Sequence, residues 1–162
     1  TVQVNLHSIA CSPPQAHILR DALVAVNAFG DVYENGKVIA GVMDDEKKNV
    51  LNSYELMKNG VNKGGFSIDN TTIGIVATNA KLDKAGCKKV SQMAIFPIHT
   101  PHDGDTIFTM ATGEVETDIT LLGSLATEVV EKSIINAIKN AESIGEIRSY
   151  KDIARTQELL TM

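Results

Sequence analysis

The pattern of apolar and polar positions divides the first half of the chain into short strands. Residues 22–29 form a continuous apolar run, which predicts a strand buried on both faces. Residues 34–37 read ENGK, an Asn-Gly hairpin signal, and residues 38–41 supply the return strand. Residues 44–59 are polar and mixed, so a helix and a mobile loop both remain open there. A third apolar run at 72–79 predicts another strand.

Helical periodicity appears in the second half, where helices alternate with strands. Asp83 is placed to cap a helix that runs to about Ala94. A strand follows at 106–112, the clearest helix covers 121–141, and an amphipathic segment at 149–160 closes the chain. The apolar stripe of the clearest helix comprises Leu122, Leu125, Val129, Val130, Ile134, Ala137 and Ile138. Alternating strands and helices predict a mixed α/β layered sandwich.

Composition narrows the class of protein. The 162 residues contain no Pro/Gly/Ser-rich linker, so we expect one domain, 1–162. A net charge of −5 and only 4% aromatic residues argue against a nucleic-acid partner. No apolar run approaches the ~20 residues that span a bilayer, and no secretory leader is evident, so we expect a cytoplasmic protein without membrane contact. Cys11 and Cys87 suit isolated thiols in a reducing compartment. The chain begins at Thr1 without an initiator Met, which suggests a processed or incomplete chain.

A polar Asn70-Thr71-Thr72 step lies immediately before the apolar strand at 72–79, behind the glycines 64 and 65. One interpretation is a cap or turn that leads into a strand. The other is chemical: a threonine hydroxyl attacks the preceding peptide carbonyl, and hydrolysis of the resulting ester frees an α-amine of pKa near ~7.7–8.0, suited to a general base. The residues by themselves leave both interpretations open.

Three segments in order, ALVAVNAFGDVYENGKVIAG, NTTIGIVATNAKL and FPIHTPHDGDTIFTMATG, closely resemble the L-aminopeptidase/D-esterase (DmpA-type) family. That family includes β-peptidyl aminopeptidases and nylon-oligomer hydrolases. The resemblance implies an αββα sandwich of the type shared with ornithine acetyltransferase, which is N-terminal-nucleophile-like. It also implies self-cleavage at Asn70–Thr71, into 1–70 and 71–162, with Thr71 as the nucleophile that hydrolyses amides or esters of small amino-terminal residues.

The resemblance implies roles for three further residues. Asn27 matches an asparagine whose amide can donate to an oxyanion, although it could instead satisfy backbone groups beside a strand. Asp103 and Asp105 match an acidic pair near the active centre, although both also suit turn chemistry. Two histidines, His99 and His102, flank this loop, but their spacing matches no standard metal motif, so we expect no metal and no cofactor.

Other functions stay open. Ornithine acetyltransferases share the fold and cleave themselves before a threonine, but NTTIG fits their nucleophile segment less well. The family is longer than this chain, and most of its N-terminal portion has no counterpart here. The chain could therefore be a catalytically inactive remnant that serves as an assembly subunit. We expect a small peptide, amino-acid amide or ester as substrate, and a homo-oligomer or a complex with the missing N-terminal portion.

Overall fold

A computed structural model describes residues 3–11, 18–27, 30–44, 46, 49–60, 71–95, 104–145 and 148–160. In chain order its elements are the strands and helices β1 (Gln3–Cys11), β2 (Ile18–Val26), β3 (Val32–Glu34), β4 (Lys37–Ala40), α1 (Ser53–Lys58), β5 (Ile73–Ala80), α2 (Lys84–Ala94), β6 (Thr106–Val115), α3 (Ile119–Asn140) and α4 (Tyr150–Leu160). None of the helices in these ranges is both long enough and apolar enough to cross a bilayer. The expected α/β class is confirmed.

Four strands form one mixed sheet in the order β1-β2-β5-β6. The β1/β2 and β2/β5 pairs are antiparallel, and the β5/β6 pair is parallel. Parallel neighbours need a crossover connection, which here contains α2. Asp83 caps α2 as predicted, because its Oδ1 accepts the N–H of Gly86 at 2.7 Å. This crossover places the starts of β5 and β6 at the same edge of the sheet.

The helices lie on one face of this sheet. α3 packs on β1 and β2, while α2 packs on β6 and against α3. Their shared core contains Val24, Val76 and Ile107 from the strands and Leu122 and Val130 from α3. The predicted apolar stripe of α3 thus does face the core, with Leu125 and Ile138 at its half-buried margins.

The opposite face of the sheet is largely uncovered by the described residues. Leu23, Ile73, Phe108 and Met110 are 40%, 51%, 57% and 55% exposed. The prediction that the strand within 22–29 is buried on both faces is therefore wrong for this chain. In β2, Val24 is fully buried while its neighbour Leu23 is not, because only one face meets the helices.

The Asn-Gly hairpin is confirmed as the β3/β4 ribbon. Asn35 and Gly36 adopt φ values of 50° and 76°, which is the left-handed pair that a tight two-residue hairpin requires. Within the polar segment 44–59, residues Ser53–Lys58 are helical, with Asn52 as the N-cap. One element was not predicted: β1 has no strand signal of its own that we recognised, and it is paired along its whole length with β2.

Candidate active site

The candidate site lies at the edge where β5 and β6 begin. Ile73 pairs with Thr106 in parallel register, and the Thr106 N–H donates to the Thr72 carbonyl at 2.9 Å. This pairing brings residues 71–72 beside residues 104–105, although more than thirty positions separate them in the sequence. The sheet therefore places the Asn-Thr step beside the loop that the sequence analysis singled out for its acidic residues.

Thr71 is half-buried and is held by the end of β2. Its backbone N–H donates to the carbonyl oxygen of Asn27 at 2.9 Å. The contact extends the β2/β5 pairing, in which Ala25 lies opposite Ile73. Asn27 is thus adjacent to Thr71 through its main chain, as expected for a residue serving the same centre.

Gly104 leaves room for the Thr71 hydroxyl. A Cβ atom placed on Gly104 would lie 3.2 Å from Thr71 Oγ1, which is closer than most side-chain contacts. A larger residue at this position would press on the hydroxyl. The absence of a side chain at Gly104 therefore keeps the space next to Thr71 Oγ1 accessible.

Asp105 binds the backbone of the same step. Its Oδ1 accepts the N–H of Thr72 at 2.8 Å, and the residue is half-buried. Hydrogen bonds to an ionised carboxylate are shorter and stronger than neutral ones, so this contact fixes the backbone next to Thr71. The observed contact is a positioning contact, on the residue after the predicted nucleophile.

A small cavity of about 20 Å³ lies behind this edge, on the helix side of the sheet. It is lined by Thr72, Ala94, Ile95, Asp105, Ile107, Val130 and Ile134. A volume of this size holds about one water molecule, which needs roughly 10–15 Å³. The sequence analysis did not associate the lining residues of α2 and α3 with the site. Their apolar periodicity signalled only a core.

The structure thus brings together three of the predicted site residues, Asn27, Thr71 and Asp105. Asn70 and Asp103 lie outside the described residues, as do His99 and His102. Among the residues that are described, no cluster of three or more His, Cys, Asp or Glu side chains could hold a metal ion.

Solved structures define the class of fold. A β-aminopeptidase from a Burkholderia species matches with a TM-score of 0.59 at 19% identity, covering 99% of this chain and 49% of that one. The L-aminopeptidase D-Ala-esterase/amidase of Ochrobactrum anthropi, described as a prototype serine aminopeptidase with a variant of the Ntn-hydrolase fold, matches with a TM-score of 0.54 at 15% identity, covering 99% and 48%. The fold is that of the Ntn-hydrolase class, which confirms the expected layered sandwich type.

The family is shown by the sequence itself. Residues 9–151 match the model of Peptidase family S58, and the chain belongs to that family. An uncharacterized aminopeptidase of Mycobacterium leprae is 34% identical over 80% of this chain and 42% of its own length. One from Mycobacterium tuberculosis is 33% identical over 52% of this chain and 31% of its own. The resemblance to L-aminopeptidases is confirmed, and the chain spans less than half the length of these relatives.

Proposed function

We propose that this chain carries the nucleophile of a self-processing aminopeptidase or amidohydrolase, and that Thr71 is that nucleophile. The observation that supports the proposal most strongly is the double anchoring of the Thr71-Thr72 step. The Thr71 N–H is bound by the Asn27 carbonyl at 2.9 Å, and the Thr72 N–H is bound by Asp105 at 2.8 Å. Preorganised attacking groups of this kind account for a large part of enzymatic rate enhancement.

Self-processing begins with the Thr71 hydroxyl. Its Oγ1 attacks the carbonyl carbon of Asn70, the bond from that carbon to the Thr71 nitrogen breaks, and the nitrogen takes up the hydroxyl proton. Water then hydrolyses the ester, which leaves a carboxylate on Asn70, a free hydroxyl on Thr71 and a free α-amine. The open space beside Gly104 allows the Thr71 hydroxyl to approach without a clash.

The amine released in this way is the base for the hydrolytic reaction. An α-amine titrates near ~7.7–8.0, so a large fraction accepts a proton at neutral pH. The Asn27 carbonyl already binds the same nitrogen and keeps it in place after the chain is cut. Thr71 Oγ1 then attacks a substrate amide or ester, forms an acyl-enzyme, and releases the product on hydrolysis.

Asn27 and Asp105 support this chemistry in different ways. The backbone of Asn27 lies next to Thr71, so its side-chain amide can reach an oxyanion formed there. Asp105 acts as a positioning residue through the Thr72 N–H. The substrate class we propose is a small peptide, amino-acid amide or ester with an accessible amino-terminal residue.

Denaturing mass spectrometry of freshly purified protein tests self-processing directly. We expect two fragments, separated between Asn70 and Thr71, and an intact chain for Thr71→Ala. Thr71→Ser should still be cut because it keeps a hydroxyl. The matched control is Thr72→Ala, one residue away, which should be processed. A wild-type chain that stays whole after long incubation, alone and with the rest of the family unit supplied, would support the inactive assembly subunit instead.

Asn27→Asp separates an oxyanion donor from a structural amide. Losing one such donor costs 10²–10³-fold in kcat, or about 2.7–4 kcal/mol, and a carboxylate would also repel the oxyanion. We expect a well-folded protein with nearly abolished hydrolysis of amino-acid p-nitroanilides and slow self-processing. A variant that melts early but turns over normally per folded molecule would remove Asn27 from the site. N-acetylornithine, tested in parallel, distinguishes an acetyltransferase.

A further inference from the structure

The sheet face that points away from α2 and α3 is apolar across three strands. Its exposed members are Leu23, Ile73, Phe108 and Met110, and Ile75, Ala25 and Ala77 lie between them at half-buried positions. Strand register confirms that they share one face, because directly paired residues project on the same side of a sheet: Leu23 lies opposite Ile75, which lies opposite Phe108, and Ala77 lies opposite Met110. We call these seven residues the open face.

The chemistry of the open face is that of an interior. None of its seven side chains is charged or polar, and the nearest acidic position on this side is Asp21, at the margin opposite Ala77. Antiparallel sheets that face water usually alternate apolar and polar positions, but here both alternations are apolar. A contiguous exposed apolar surface of this kind marks an interaction site.

A second β-sheet fits this surface better than a peptide or a single helix. The open face extends across β2, β5 and β6 and presents side chains at every second position, as the inner faces of packed sheets do. Two such faces interdigitate at a spacing of about 10 Å. The edge of the sheet needs no added strand for this contact, since the packing is face to face.

The lengths of the relatives indicate where that sheet comes from. The chain aligns over 99% of its length with the two solved aminopeptidases but covers only 49% and 48% of them, so about as much polypeptide again belongs to each complete unit. We propose that the open face binds a second β-sheet supplied by the polypeptide that corresponds to this remaining half. A second copy of the present chain is the alternative occupant that the experiment excludes.

The same contact would complete the candidate active site. Alternate residues of extended backbone share a side, so Thr71 falls on the side of Ile73, and Asn27 on the side of Ala25. The partner sheet would then form the second wall around the Thr71 hydroxyl. This consequence rests on the proposed function, whereas the docking itself does not.

The chain contains no tryptophan, which allows burial of the open face to be measured directly. Phe108→Trp places a single indole on the open face, and Tyr54→Trp places one on α1, at a 62% exposed position away from that face. Each variant is measured as the 162-residue chain and as a graft into the Mycobacterium leprae relative, where it replaces the segment that it matches. Emission from the graft without the added indole is subtracted, and Thr71→Ala in all forms makes the readout independent of self-cleavage.

For Phe108→Trp, we expect the indole emission of the chain alone to be that of a solvated indole at every concentration, and to shift to shorter wavelength in the graft. The emission of Tyr54→Trp should be the same in both formats. Phe108→Glu should lower the melting temperature of the graft and leave that of the chain alone unchanged. If the graft does not fold, the same measurements are made with the two parts co-expressed.

Three results would overturn the proposal. Short-wavelength emission from Phe108→Trp in the chain alone, together with a light-scattering mass of two chains, would identify a second copy as the occupant. A solvated indole in the Phe108→Trp graft would show that the face stays open. Failure of both formats to give a soluble assembly that depends on Phe108 would remove the remaining half as the partner.

Discussion

The two faces of the four-stranded sheet are built from the same strands but have opposite surroundings. On the helix side, Val24 and Val76 are fully buried and Ile107 is 8% exposed. On the open face, their neighbours Leu23 and Phe108 are 40% and 57% exposed. Both sets are apolar, so the difference lies in what covers them and not in their hydrophobicity.

This contrast shows that apolar sequence on both faces of a strand reports a need for two layers. The chain itself provides only one of them within its described residues, through α2 and α3. Burial on the helix side already stabilises the sheet at about 25 cal/mol per Å² of apolar surface removed from water. The open face holds a comparable contribution that is realised only on contact with a partner. Predictions that compare the two faces therefore test both the fold and the docking proposal.

The largest effect is expected from matched leucine truncations on the two sides. Leu122 of α3 is fully buried, whereas Leu23 of β2 lies on the open face. Leu122→Ala should lower the free energy of unfolding by about 2–5 kcal/mol because it leaves a cavity in the core. Leu23→Ala should cost about 1 kcal/mol, mostly through reduced strand propensity. Urea unfolding of the Thr71→Ala background measures both, and equal losses would contradict the contrast between the faces.

A smaller effect is expected from adding a methyl group on each face. Gly74 lies on the helix side, where a new Cβ would meet Ile107 Cδ1 at 2.7 Å and Val24 Cγ2 at 3.3 Å. Gly74→Ala should therefore destabilise the chain by about 1–2 kcal/mol net, since overpacking outweighs the better strand propensity of alanine. On the open face, Ala25→Val has space for its methyl groups and should be neutral or slightly stabilising in thermal melts. A stabilising Gly74→Ala would show that Ile107 can move aside.

The smallest effect is expected at α4, which packs on α3. Side-chain hydrogen bonds from Ser143 and then Ser149 hold the pKa of Asp152 below its ordinary value of 3.8. A carboxyl with a depressed folded-state pKa stabilises above its unfolded pKa, and this contribution is lost as the pH falls below about 3.8 and through the folded value.

Nuclear magnetic resonance of the α4 amides should therefore show fraying that begins below this pH. The sheet amides should not change over the same range. Asp152→Asn should abolish the pH dependence of α4, and an unchanged profile in that variant would assign the effect to another carboxyl.

Features set by neighbouring residues were predicted well. Asn35-Gly36 specifies its turn because both positions need positive φ, and Asp83 specifies the start of α2 because its carboxylate reaches the Gly86 N–H. The stripe of α3 specifies which side of that helix is buried. Each of these depends on contacts within a few positions along the chain.

Features that depend on distant residues were not predicted. Strand β1 was missed because its hydrogen-bond partner, β2, defines it. The one-sided burial of β2 was missed because a continuous apolar run looks the same whether one or both faces are covered. At the site, the Asn-Thr step and the resemblance pointed to Thr71, but its contacts with Asn27 and Gly104 were not visible in the spacing.

The sequence by itself thus determined the local elements, the family, and the identity of the residues that could carry the chemistry. Only the tertiary structure decided that the β5/β6 pairing brings Thr72 to Asp105, that β2 supplies the carbonyl bound to Thr71, and that one apolar face stays open. The physical reason is that propensity and periodicity act over a few residues, whereas strand pairing and layer packing join residues far apart in the chain.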